Sequence, residues 1–147
     1  MCCYEISWAD ARQKALYMKL TPGWDWPDLF PAAVETAAML DEVEHDVDLL
    51  LHVPDSHPSP ASALPMFDAI AAMPAFTHPK AGRVVLISTD PHIRRLMTLF
   101  QFTYPGYGES LLHAETPQAA VALLQVLRTT GSLDLGPNPT PPPPYVP

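Results

Sequence analysis

Imidazole, carboxylate and hydroxyl groups recur just after three short apolar runs of the chain. His52, Asp55, Ser56 and His57 close the run DLLLHV and its exit. Ser88, Asp90 and His92 follow VVLI, and His113 and Glu115 follow Leu111-Leu112. Such groups can bind an anion, hold a transition metal or move a proton. The spacing supports none of these sharply. His52 and His57 fit no zinc pattern, and no H-E-x-x-H is present. Asp55-Ser56-His57 carries the three letters of a hydrolytic triad side by side, whereas a triad converges from separate segments. No G-x-S-x-G elbow exists, and 6 glycines leave little from which to build a phosphate loop. The residues therefore point away from an enzyme and call for no cofactor and no resident metal. They leave a candidate strand-end pocket of His52, His57, Asp90, His92 and His113. Polar residues are common in such loops without any site.

The elements that would carry these groups follow from periodicity. Val84 to Ile87 is a short β-branched run, right for a strand buried on both faces. Asp90 then reads as a helix N-cap with Pro91 at the first helical position, and Ile93, Leu96, Met97 and Phe100 follow at helical spacing. Upstream, Tyr4, Ile6 and Trp8 alternate with polar residues, and Ala15 to Leu20 alternates again, which makes an antiparallel hairpin. Asp25 caps the next helix, with Asp28 in the place of a capping box and Pro31 forcing an irregular start. Its inner stripe is Leu29, Ala33, Val34, Ala37 and Leu40. Val47 to Val53 is a third strand. Ser62 reads as the cap of a second helix, with Leu64, Phe67, Ile70 and Ala71 facing inward. Glu109 to His113 is a fifth strand, and Thr116-Pro117 opens a last helix with Ala120, Val121, Leu124 and Leu127 inside and Gly131 at its end. The order is ββαβαβαβα. It predicts an α/β fold with a five-stranded, mostly parallel sheet, an N-terminal antiparallel strand pair and four helices.

Length and charge narrow the class. The 147 residues make one domain, expected over 1–134, and the end, PNPTPPPPYVP, reads as a proline-rich disordered tail over 135–147. A net charge of −8 argues against nucleic acid or an anionic membrane as partner. No apolar run approaches a membrane span, and no secretory signal is visible, so a cytoplasmic protein is expected. Cys2 and Cys3 are neighbours that rarely bond to each other and read as reduced thiols.

The succession resembles the STAS domain, the fold of SpoIIAA-like anti-sigma-factor antagonists of bacteria. It does so from about Tyr4 to Thr130. The resemblance is carried by the strand pair before a helix opened by Trp24-Asp25-Trp26, by DLLLHV leading through a loop to a short second helix, and by VVLIS and IRRLMTLF followed by a strand and a helix opened by Glu115-Thr116. It implies a non-enzymatic regulatory module that works by protein–protein contact, with a homodimer as one form of that contact. The family's usual Asp-Ser-Ser-Gly signature, with its phosphorylated hydroxyl, corresponds to Ser59-Pro60-Ala61-Ser62-Ala63-Leu64. Ser62 stands at that place with no acidic residue before it and no glycine after it. The expected phosphorylation or partner surface is Asp55, Ser56, Ser59 and Ser62, together with Trp24, which would be a binding hot spot if exposed. The alternative is a small-ligand or lipid-binding protein on the same fold, with a cavity lined by Met66, Phe67, Met97 and Phe100.

Overall fold

A computed structural model describes residues 3–55, 57–107 and 110–134. Strand β1 (Tyr4–Trp8) pairs antiparallel with β2 (Ala15–Leu20) in the expected hairpin. β3 (Val47–His52), β4 (Ala81–Ile87) and β5 (Leu111–Ala114) then add in parallel, giving a sheet ordered β1-β2-β3-β4-β5. β4 lies between two parallel neighbours, and Val85 at its centre is fully buried.

The sequential order decides where the helices go. Each parallel crossover is right-handed, so strands added one after another in one direction place every connecting helix on the same face. Helix α1 (Leu29–Leu40), α2 (Phe67–Ala71), α3 (Pro74–Thr77) and α4 (Pro91–Thr103) follow this rule. Leu29, Ala33, Phe67, Ile70, Ile93 and Phe100 pack there against Leu16, Met18, Leu49 and Val84. The other face would be bare without α5 (Pro117–Asp134), whose Ala120 and Leu124 cover Ala15, Leu50, Val85 and Ile87. Successive strand residues thus feed two cores, which is why Leu49-Leu50 and Val84-Val85 are both buried.

Local chemistry explains the departures from expectation. Asp25 and Asp28 form the capping box, but on a 3-10 turn, Trp26–Asp28, that hands over to α1 two residues before Pro31. The resulting phase buries Ala32 and Thr36 and turns Val34 to solvent, where it had been expected inside. The segment before α2 is a 3-10 helix, Pro60–Met66, begun by Pro60 and continued through Pro65. Ser62 therefore lies within it, its N–H donating to Ser59 O, and does not cap a helix. Val121 is exposed, and α5 continues through Gly131. Cys3 is disulfide-bonded, against the reduced thiol expected. Glu109 and the proline-rich end lie outside the described residues.

One irregularity of the sheet has a clear cause. Val47 pairs with Ala81 but Leu49 pairs with Val84, so β4 carries one extra residue opposite Asp48. The bulge leaves the Arg83 N–H without a ladder partner, and the buried Asp48 carboxylate accepts it at 2.7 Å. Gly82 fits beside it because a Cβ there would run into Asp48 Oδ1 and lie 3.1 Å from Val47 O.

Candidate functional site

The sequential strand order also removes the crevice that ligands use in doubly wound sheets. That crevice opens where the strand order reverses, and here the parallel strands never reverse. The loops past β3 and β4 are instead tied together. Val53 N–H donates to Ile87 O at 2.9 Å, and Thr89 Oγ1 donates to Asp55 Oδ1 at 3.2 Å.

His57 and Asp90 form the strongest of these ties. His57 Nε2 lies 2.5 Å from Asp90 Oδ2, and its Nδ1 lies 2.8 Å from Pro58 O. Both partners are acceptors, so both ring nitrogens must donate and the geometry selects the imidazolium. Burial opposes that charge. The Pro58 carbonyl, the Asp90 carboxylate and the nearby Asp55 outweigh it and raise the His57 pKa above 6.5. The Asp90 pKa is lowered by the bond from His57 and by the backbone N–H of His92. That second bond, His92 N–H to Asp90 Oδ1 at 2.8 Å, is the expected N-cap of α4. One carboxylate thus starts the helix and pins the loop after β3.

The remaining strand-end residues go elsewhere. His52 sits on the α5 face, its Nδ1 2.5 Å from the Tyr17 hydroxyl. Burial and Lys19 lower its pKa, so the neutral ring accepts from Tyr17. His113 Nε2 donates to Ser88 O at 2.9 Å. Ser88 is buried, its Oγ accepting the Asp90 N–H, and cannot serve as a nucleophile. His92 is exposed. Of the five residues expected to share one pocket, His57 and Asp90 meet, with the backbone of His92 on the same carboxylate, whereas His52 and His113 make separate contacts. Among the described residues no three His, Cys, Asp or Glu side chains converge on a point that could hold a metal ion.

Trp24 is corrected as a surface residue. It is 3% exposed and packs edge-on against Trp26, with ring centroids 4.7 Å apart. Trp26 Nε1 reaches across to Ser59 O at 2.9 Å and anchors the start of the 3-10 helix. Asp55, Ser59 and Ser62 are exposed, and Ser56 lies outside the described residues.

What the sequence did not reveal is a groove between that 3-10 helix and α4. Its volume is about 450 Å³, with Pro60, Ala61 and Leu64 on one wall and Arg95, Leu96 and Leu99 on the other. Ser59 and His92 stand at its rim. Leu64, expected inside, is 43% exposed, and so is Leu99. The 3-10 repeat displaces Leu64 from the inner stripe, because three residues per turn bring different side chains inward than 3.6 would. Leu99 was the available signal, an apolar residue off the α4 stripe. Beneath this layer lies an apolar cavity of about 90 Å³, lined in part by Phe67, Met97 and Phe100. Met66 packs at the edge of the core and is not among its lining residues.

No protein-family model matches the chain, and no curated protein matches it. Among solved structures it is similar to the anti-sigma factor antagonist SpoIIAA in its unphosphorylated form. The TM-score is 0.51 at 15% identity, over 84% of this chain and 96% of that one. The fold is therefore the SpoIIAA-like, or STAS-like, α/β fold.

Proposed function

We propose that the chain is a non-enzymatic regulatory module that binds a protein partner through the groove between the Pro60–Met66 helix and α4. The observation that carries this reading is the groove itself. Leu64 and Leu99 leave an apolar strip open to solvent, and Arg95 stands beside it in a molecule of net charge −8. The fitting occupant is an apolar segment carrying an acidic residue. The fold shared with SpoIIAA, itself an anti-sigma factor antagonist, supports a regulatory role. Ser59 and Ser62 are the proposed points of control. A phosphate on Ser59 would stand at the groove rim beside His92 and Arg95 and change what the groove accepts.

The lipid-binding alternative is weaker, because 90 Å³ is far below the roughly 300 Å³ at which small-molecule sites begin. A second copy of the chain is one candidate occupant of the groove. A cytoplasmic setting belongs to the same reading.

Photo-crosslinking in the native host tests the reading. A crosslinker placed at Leu64 or Leu99 should trap one and the same protein, and Leu64→Glu should abolish the product from position 99. A crosslinker at Val126, exposed on α5, should not trap it. Equal trapping from all three positions, or none from the groove, would refute the assignment. Intact mass of the recovered chain reads any phosphate directly.

A further inference from the structure

A second large cavity lies at the other end of the sheet, where β3, β4 and β5 begin. It has a volume of about 850 Å³, within the usual range for small-molecule sites, and it opens between the β1–β2 turn, the start of β4 and α5. Its walls carry Arg12, Lys14, Arg83 and Arg128, half of the chain's 8 lysines and arginines. They come from three separate elements of an acidic molecule, the β1–β2 turn (Arg12 and Lys14), β4 (Arg83) and α5 (Arg128), so the fold gathers them. The bulge in β4 belongs to this site, since Arg83 is part of the extra turn of chain opposite Asp48. Asp48 positions the cations: it accepts Arg83 N–H on one oxygen and Arg128 Nη2 at 2.9 Å on the other.

We propose that this cavity binds a small, polyhydroxylated anion of the phosphorylated-sugar class. Cationic side chains, guanidinium forks among them, select an oxyanion. Asp46, and the Asp10 oxygen not taken by the Lys14 N–H, line the cavity as hydroxyl acceptors, with Ser110 and Gln125 as further polar partners. His45 is the one ring among the described lining residues, and none of them is a large aliphatic side chain, so an acyl chain finds nothing to pack on. Asp48 contributes by holding the arginines, its own oxygens being already engaged.

The test is isothermal titration calorimetry of the full chain with glucose 6-phosphate, glucose and inorganic phosphate as probes. Glucose 6-phosphate should bind saturably below about 10 mM and more tightly than inorganic phosphate, and glucose should not bind. Arg12 is exposed on the β1–β2 turn, so Arg12→Glu leaves the fold intact. That variant should weaken binding by about tenfold or more. Lys19→Glu makes the same charge change on the sheet outside the cavity and should leave binding unchanged. Absence of saturable binding, or equal weakening by the two variants, would overturn the site. Inorganic phosphate binding as tightly as glucose 6-phosphate would overturn the polyhydroxylated ligand class.

Discussion

Asp90 carries two bonds on one carboxylate, and two substitutions separate them. Asp90→Ala removes the N-cap bond to His92 N–H and the pair with His57 together. Asp90→Asn keeps a good capping side chain and removes only the charge. An N-cap contributes about 1 kcal/mol. The pair is a charge-assisted bond, but the side chains keep 10% and 22% of their exposure, so screening reduces it to about 1 kcal/mol as well. The pH dependence follows from the two shifts. The His57 pKa is raised, so its contribution is complete below the unfolded value of 6.5 and is lost as pH rises through the higher folded value. The Asp90 pKa is lowered, so its contribution is complete above 3.8 and is lost as pH falls through the lower folded value. Both are present between these limits. In urea titrations at pH ~5.5, Asp90→Ala should cost about 2 kcal/mol and Asp90→Asn about 1 kcal/mol. At pH ~8.5 the Asn variant should recover at least half of its loss, while the Ala variant keeps the cap deficit of about 1 kcal/mol. A His57→Ala cycle with Asp90→Asn should show coupling at the lower pH that shrinks at the higher one. Equal losses for the two Asp90 variants, or coupling independent of pH, would refute the imidazolium assignment.

Three further substitutions probe the layers and the bulge. Leu50→Ala, in the thin core under α5, should cost about 3 kcal/mol in urea unfolding, whereas Leu99→Ala on the groove wall should cost under about 0.5 kcal/mol. Gly82→Ala should destabilise by about 1–3 kcal/mol, because the new Cβ displaces Asp48 from the bulge, and it should weaken glucose 6-phosphate binding at the amino-end cavity as well.

The strands and most helices were legible because each has a local cause. Val84 to Ile87 could only be a doubly buried strand, and Asp90-Pro91 and Asp25 through Asp28 are start signals whose bonds the structure contains. The Pro60–Met66 segment was misread for an equally local reason. Ser62 looks like a cap, yet Pro60 and Pro65 remove backbone donors at both ends of the turn and favour the tighter 3-10 winding. That winding moved Leu64 outward and made the groove. Trp24 and Trp26 flank the cap and pack on each other, so the pair is buried where the sequence leaves open one exposed ring or a packed pair. The strand-end histidines were correctly placed at strand ends, but whether they share a pocket depends on strand order, which no motif encodes.

Strand order bears on function more than any single residue does. A reversal would have opened a ligand crevice between the loops of His57 and His113. Sequential addition closes it and draws Asp55, Thr89, His57 and Asp90 into ties that hold the Pro60–Met66 helix against α4. The same order stacks α1 to α4 on one face and leaves α5 alone on the other. The first face is therefore thick enough to carry a solvent-open apolar groove on its outside. The second is thin enough that Arg128 of α5 and Arg83 of the bulge reach the same cavity. The apolar groove and the polar cavity at opposite ends of one sheet, to which protein binding and small-anion binding are here proposed, thus share a single topological origin.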